Sequence, residues 1–147
     1  MRRLVFILSI LSCVNAIAAA PQPPAVLGKS WLVVDLTSGQ VLAAEKPDER
    51  VEPASLTKLM TAYVVLGALR DKKLALGQQV TVSERAWRAP GSRMFIRVGT
   101  QVGVEDLIRG MEVQSGNDAS VALAEAVAGS EDVFVQMMNK EAARLGM

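Results

Sequence analysis

The chain has 147 residues, 50% of them apolar, so it is long enough to form one compact domain or part of one. Its 16 basic residues nearly balance its 15 acidic residues, and this charge gives no indication of binding to nucleic acid or to an anionic membrane. The sequence has no histidine, which excludes a Ser-His-Asp triad, a Cys-His pair and a histidine-ligated zinc site, and no metal or organic cofactor is implied. The side chains left to activate a nucleophile are those of Lys, Asp, Glu and Tyr.

Residues 1–20 have the pattern of a secretory signal peptide. Arg2 and Arg3 form its charged start, residues 4–11 its apolar stretch, and small residues allow cleavage near Ala18 or Ala20. The apolar run is shorter than the roughly 20 residues that a membrane span needs. We therefore expect export of the chain and removal of this segment, and with it of the single cysteine.

The next segment predicts a linker followed by a β-hairpin. Proline-rich residues 21–29 form the linker, and residues 30–36 and 40–45 read as two strands joined through Thr37-Ser38-Gly39. This spacing favours an antiparallel pair.

Residues 55–69 predict a helix that is apolar nearly all round. Such a helix is typically buried on most sides, and this one is too short to span a bilayer. We expect it to lie at the centre of the fold, covered by other elements.

The rest of the chain predicts short elements followed by three helices. The short elements are a strand at 79–83, a brief helix that Ser83 caps and that ends at Trp87, and an extended piece at 94–99. The first of the three helices spans 104–113, with Leu107, Ile108 and Met111 on one face. The second is capped by Asn117 or Asp118 and runs through Ala128, and the third spans 130–145.

Ser55 and Lys58 are candidates for a nucleophile and its base. Residues three apart share one face of a helix, so the ammonium can reach the hydroxyl. The positive helix N-terminus also favours an oxyanion beside Ser55. A Ser-x-x-Lys spacing is common by chance, and a plain helix cap would equally explain the serine. A cap does not explain a lysine in a helix with almost no polar face.

Ser115-Gly116-Asn117 forms a second candidate group, in a loop between two predicted helices. Here too a cap at the start of the next helix is an alternative interpretation that involves no function.

Together the two motifs and their surroundings resemble one enzyme family. The stretches PASLTKLMTAY (53–63) and LIRGMEVQSGNDA (107–119) resemble the D-alanyl-D-alanine carboxypeptidases, which are low-molecular-mass penicillin-binding proteins of the bacterial periplasm. Residues 92–95, Gly99, residues 128–132 and Phe134 extend this resemblance, which runs from about Ser30 to the end of the chain.

The resemblance implies an α/β fold of the β-lactamase and DD-peptidase type, in which a mixed α/β part and a helical part enclose a cleft. It implies that Ser55 is the nucleophile, Lys58 its base and Ser115 a proton relay, and that Asn117 holds the substrate's peptide backbone. The substrate would be a peptidoglycan stem peptide that ends in D-Ala-D-Ala. β-Lactams would be covalent inhibitors, and the protein would work in the periplasm.

The family pattern has a third element, Lys-Thr-Gly or Lys-Ser-Gly, that does not occur in these 147 residues. We therefore expect residues 30–147 to be the N-terminal part of a catalytic domain, without the remaining sheet strands and without a C-terminal region through which a complete protein would associate with the membrane. The third element supplies a cation that helps a lysine act as a base, and its strand supplies an oxyanion donor worth on the order of 10²–10³ in rate. Without this element and these strands, we expect a chain of this length to have impaired activity and to expose apolar surface.

Two alternatives remain open at this point. A serine β-lactamase shares the Ser-x-x-Lys and Ser-x-Asn layout. A penicillin-binding or peptidoglycan-binding remnant without catalytic activity would fit the missing third element.

Overall fold

The computed structural model describes residues 23–147. The predicted signal peptide and its cleavage site, together with the first two residues of the predicted linker, lie outside the described residues. The chain divides into two compact units, one that ends at Val51 and one that runs from Glu52 to Met147. Within residues 23–147, no helix is both long enough and apolar enough to cross a membrane.

The first unit contains the predicted β-hairpin. Strand β1 (Trp31–Val34) pairs antiparallel with β2 (Val41–Glu45), and the register shifts between Val33 and Val34. The prediction of an antiparallel pair is confirmed, although both strands are shorter than predicted.

The hairpin turn is held by the side chain of Asp35. Its Oδ1 accepts hydrogen bonds from the backbone N–H groups of Thr37 and Ser38, each at 2.8 Å. The N–H of Ser38, followed by that of Thr37, holds the pKa of Asp35 below its usual value. Gly39 completes the turn with φ +72°, a conformation that glycine adopts without steric cost.

The second unit is mostly helical. It begins with a 3₁₀ turn at Ala54–Leu56. In chain order there follow α1 (Thr57–Arg70), β3 (Gln79–Thr81), α2 (Glu84–Trp87), β4 (Gln101–Gly103), α3 (Val104–Gln114), α4 (Asn117–Ala128) and α5 (Glu131–Arg144). Strands β3 and β4 pair antiparallel, with Val80 opposite Val102.

Helix α4 is the centre of this unit, because α1, α2, α3, α5 and β3 all pack against it. Its residues Ala119, Ala122 and Leu123 are fully buried. Leu107 of α3 and Phe134 of α5 fill the space around it. The many alanines of α4 let its neighbours approach closely, which makes it a suitable scaffold for side chains at its N-terminus.

Several local predictions are confirmed. Ser83 caps α2, since its hydroxyl accepts a hydrogen bond from the Ala86 N–H at 2.9 Å. The predicted face of α3 is buried at Leu107 and Met111 and partly buried at Ile108.

Other predictions are wrong. The segment 94–99 is not extended, because Phe95 has φ +63°. Neither Asn117 nor Asp118 caps α4, since Gly116 occupies the N-cap position. Strand β4 has no signal of its own in the sequence and depends on its partner, β3.

Helix α1 is less covered than its composition predicts. Only Thr61, Val64, Val65 and Ala68 are buried. Leu59 is 71% exposed, and Tyr63 and Leu66 are also exposed. The helix therefore buries one side and leaves an apolar side open to solvent.

Candidate active site

Ser55 lies in the 3₁₀ turn that precedes α1 and is exposed to solvent. The prediction that it lies in the first turn of the α-helix is wrong, because the helix begins two residues later at Thr57. The backbone around it is unusual, since the preceding residue, Ala54, has φ +47°. The Ser55 Oγ accepts a hydrogen bond from the Ser115 hydroxyl at 3.1 Å. Two serines 60 positions apart in sequence thus lie side by side.

Ser115 owes its position to the tight turn between α3 and α4. It ends α3 in the left-handed conformation, with φ +55° and ψ +38°. The next residue, Gly116, donates its N–H to the Gly110 carbonyl at 3.1 Å. A Cβ atom on Gly116 would lie 3.0 Å from that same carbonyl oxygen and 3.0 Å from Asp118 Oδ1, so any side chain here would crowd the turn.

Lys58 and Asn117 form the second pair of the site. Lys58 is partly buried in the first turn of α1, and its Nζ donates a hydrogen bond to Asn117 Oδ1 at 2.6 Å. Within residues 23–147, Lys58 and Ser55 form no hydrogen bond with each other. The three-residue spacing spans the junction between a 3₁₀ turn and an α-helix, so it does not have the geometry of a continuous helix face.

Asn117 is held on three sides. Its Nδ2 donates to the Pro90 carbonyl at 2.6 Å, and its backbone N–H donates to the Ser92 carbonyl at 2.7 Å. Its Oδ1 accepts from Lys58 Nζ. Because one neighbour is an acceptor and the other a donor, only one orientation of the amide satisfies both.

A cavity of about 360 Å³ opens beside Lys58 and Asn117, between α1, α2, α4 and α5. Phe134 and Val121 contribute apolar surface. At the polar part, Arg85 Nε donates to Glu131 Oε2 at 2.7 Å. This ion pair raises the pKa of Arg85 above its usual value, chiefly through the hydrogen bond. The site therefore has a mixed apolar and charged space next to its hydroxyl and amine groups.

The structure brings together all four side chains that the sequence singled out, namely Ser55, Lys58, Ser115 and Asn117. The alternative interpretation of Ser55 and Asn117 as helix caps is wrong, because neither side chain makes a cap hydrogen bond. Among residues 23–147, no group of three His, Cys, Asp or Glu side chains is placed to hold a metal ion.

Sequence reasoning missed the loop that supports Asn117 and the carboxylate that anchors this loop. Pro90 and Ser92 supply the two carbonyls that hold Asn117, and Asp118 binds the same loop farther along. The available signal was an acidic residue directly after Asn117, in the first turn of a mostly apolar helix.

The sequence profile described as D-alanyl-D-alanine carboxypeptidase matches residues 17–147. The chain belongs to the D-alanyl-D-alanine carboxypeptidase family.

Curated members of the family are clearly similar in sequence. The D-alanyl-D-alanine carboxypeptidase DacC of Escherichia coli is 46% identical over 132 residues, which is 86% of this chain and 33% of the relative. The chain thus spans about one third of the length of that relative.

Solved structures of penicillin binding proteins have the same fold over the matched part. Penicillin binding protein 5 from Haemophilus influenzae superposes with a TM-score of 0.78 at 44% identity, covering 87% of this chain and 38% of that one. Penicillin binding protein 6B from Escherichia coli gives 0.74 at 44% identity, covering 88% and 42%. The predicted α/β fold of the DD-peptidase type is confirmed, and the match is to part of that fold.

Proposed function

We propose that the protein is a serine-type D-alanyl-D-alanine carboxypeptidase that acts on peptidoglycan stem peptides through an acyl-enzyme on Ser55. The observation that carries the proposal is the convergence of two pairs in one site. The Ser115 hydroxyl lies 3.1 Å from Ser55 Oγ, and Lys58 Nζ lies 2.6 Å from Asn117 Oδ1. Family membership supports the class of reaction, because the matched relatives carry this name.

In the first half of the reaction, Ser55 Oγ attacks the carbonyl carbon of the penultimate D-alanine. Lys58, acting as a neutral amine, takes the hydroxyl proton as the new C–O bond forms. The C–N bond to the terminal D-alanine then breaks as the Ser115 hydroxyl gives its proton to the leaving amine. Ser115 regains a proton from Lys58, which thereby passes on the one it took from Ser55. The exposed position of Ser55 before α1 suits this attack, since the positive end of the helix dipole favours negative charge on the carbonyl oxygen.

In the second half, water attacks the ester carbonyl and loses a proton to Lys58. The C–O bond to Ser55 breaks, the Ser55 oxygen regains this proton, and the shortened peptide leaves. A β-lactam follows the same first half, but its amine stays attached to the acyl group when the ring opens. The leaving group therefore remains in the site, and the acyl-enzyme persists. This is the chemical basis for proposing β-lactams as covalent inhibitors.

Asn117 binds the peptide backbone of the substrate in this proposal. Its side-chain amide is held by the Pro90 carbonyl and Lys58 Nζ, and its backbone N–H by the Ser92 carbonyl, so it presents one fixed orientation to an incoming peptide. A binding group that is already ordered loses little entropy when the substrate arrives. The protein acts in the periplasm, to which residues 1–20 direct it.

Covalent labelling tests the proposal. The protein is incubated with a penicillin, and its intact mass is measured with time. We expect the mass of one whole penicillin to be added and Ser55→Ala to remove the adduct. Ser38→Ala, which deletes a hydroxyl from the hairpin turn, is the matched control and should be labelled normally. Labelling that persists in Ser55→Ala would overturn the proposal.

Product analysis separates the proposal from its alternatives. Incubation with a peptide that ends in D-Ala-D-Ala should release free D-alanine. Saturable binding without any released D-alanine would instead indicate a binding protein without catalysis. Hydrolysis of the β-lactam faster than release of D-alanine would indicate a serine β-lactamase.

A further inference from the structure

Asp118 is a buried carboxylate next to the site that has no part in the chemistry above. Only 1% of its surface is exposed, although it lies in the first turn of α4. Its Oδ1 accepts hydrogen bonds from the N–H groups of Met94 at 3.0 Å and Ala119 at 2.9 Å. Its Oδ2 accepts one from the N–H of Ile96 at 3.2 Å. Both oxygens are therefore used, and two of their three partners lie more than 20 residues away in sequence.

The two distant partners flank Phe95, which has the left-handed φ of +63°. This conformation is rare for a bulky residue and persists only where the surroundings enforce it. It lets the N–H groups before and after Phe95 point at the same anion, as in the anion-binding concavities that successive backbone N–H groups form. The Asp118 carboxylate fills this concavity, so it selects the unusual backbone of the loop.

The same loop holds the catalytic asparagine. Its start supplies the carbonyls of Pro90 and Ser92 that fix Asn117, and Gly91 lies between them with φ +85°. A Cβ atom on Gly91 would lie 2.9 Å from Asn117 Nδ2, so the loop and the asparagine touch closely. Adjacent residues of α4 thus bind the two ends of one loop: Asn117 bonds to its beginning, and Asp118 bonds to its end.

We infer that Asp118 is a positioning residue that orients Asn117 through the loop 90–96. It touches no reacting atom in the proposed mechanism. Its carboxylate secures the loop against α4, and the secured loop turns the Asn117 amide so that its oxygen meets Lys58 Nζ at 2.6 Å. The catalytic consequence of this inference rests on the proposed function, whereas the structural consequence does not.

The substitution Asp118→Asn tests the inference with little change in shape. Met94 and Ile96 donate to different oxygens of the carboxylate, and in asparagine one of these atoms becomes an NH₂ donor, so one of the two N–H groups loses its acceptor. We expect the second-order rate constant of acylation by a penicillin to fall roughly 10- to 100-fold, as small displacements of positioned groups do. Loss of stability alone would reduce the fraction of protein that becomes labelled and leave the rate constant of the remainder unchanged.

Asp132→Asn is the matched control. Asp132 is exposed and lies in the first turn of α5, so the same change of charge occurs at an equivalent helix position away from the loop. Its acylation constant should equal that of the unsubstituted protein. An equal fall in Asp132→Asn and Asp118→Asn would assign the effect to helix electrostatics and overturn the inference.

Amide hydrogen exchange provides a readout that does not depend on activity. Asp118→Asn should accelerate exchange at the backbone N–H groups of Met94, Ile96 and Asn117, whereas Asp132→Asn should not. If the unsubstituted protein is not acylated at all, the proposed function fails while exchange still tests Asp118. Unchanged exchange at all three groups would overturn the positioning role.

Phe95→Gly extends the test to the case in which Asp118→Asn does not fold. Glycine adopts a positive φ freely, so the loop needs the carboxylate less. We expect Asp118→Asn to have a several-fold smaller effect on acylation or on folded yield in the Phe95→Gly background than in the natural one. An equal loss in both backgrounds would contradict the inference.

Discussion

The hairpin unit and the helical unit differ in what holds them together. Among described residues 23–51 none is buried, and Leu36 is 98% exposed. Every buried apolar residue of the described chain lies in the unit that begins at Glu52. The hairpin depends on ladder hydrogen bonds and a local turn, whereas the helical unit depends on burial around α4.

This difference explains where a reactive site can form. All four candidate side chains belong to the helical unit, and their hydrogen bonds join residues 59 and 60 positions apart. Bonds over such distances keep a fixed geometry only when packed elements hold both ends. The local bonds of the hairpin turn, in contrast, join residues two or three positions apart.

The two units should differ most in how the loss of a lysine changes the rate constant of acylation. Lys58→Ala should lower the rate constant of acylation by a penicillin on the order of 10²–10⁴, which is the range for loss of a positioned base. Lys29→Ala removes an exposed lysine from the other unit and should have no effect. A normal rate in Lys58→Ala would exclude this residue as the base.

A second test compares two leucines for stability. Leu107→Ala, at a fully buried position of α3, should lower the free energy of unfolding by about 2–5 kcal/mol. Leu36→Ala, at an exposed position of the hairpin unit, should change it by less than about 0.5 kcal/mol. Denaturant titration measures both values, and similar losses in the two variants would break the distinction between the units.

A third test compares two glycines with positive φ. Gly91 has φ +85° and Gly39 has φ +72°, so alanine at either position introduces backbone strain of about 1–2 kcal/mol. Only at Gly91 would the new Cβ also meet Asn117, since nothing lies within 4 Å at Gly39. Gly91→Ala should therefore slow acylation roughly tenfold, whereas Gly39→Ala should leave the rate unchanged. Equal rates in the two variants would show that the loop does not control Asn117.

The smallest expected effect is the pH dependence of the hairpin turn. The pKa of Asp35 is lowered in the folded chain by the N–H groups of Ser38 and Thr37. The turn therefore gains stability above the unfolded pKa of about 3.9 and loses it as the pH falls through the lower folded value. The backbone amide shifts of Thr37 and Ser38 should follow this titration. Asp35→Asn should abolish it, and a titration that persists in that variant would assign it to another group.

Local patterns were sufficient to predict much of the fold. The hairpin follows from two strand-forming runs around Thr37-Ser38-Gly39, and the cap of α2 follows from Ser83 before a short helix. The buried face of α3 follows from the helical spacing of Leu107 and Met111. Each of these features depends on neighbours in sequence, which a single chain makes visible.

The candidate site was only partly predictable. The sequence singled out Ser55, Lys58, Ser115 and Asn117, and the structure brings them together, while their catalytic roles stay predictions. The sequence predicts that Lys58 reaches Ser55. In the structure Lys58 bonds to Asn117 and Ser55 bonds to Ser115, and these pairs depend on how α1 packs against the turn between α3 and α4.

All five α-helices and three of the four strands of the described residues follow from local sequence patterns, because apolar spacing and turn residues act over a few positions, whereas β4 does not. The backbone at Phe95 and the exposed side of α1 depend on contacts between elements that are distant in sequence. Phe95 takes a positive φ because the Asp118 carboxylate, 23 positions later in the sequence, draws the N–H groups on both sides of it to one point. Such contacts depend on which elements pack together, and the pattern of residues within one element does not contain that information.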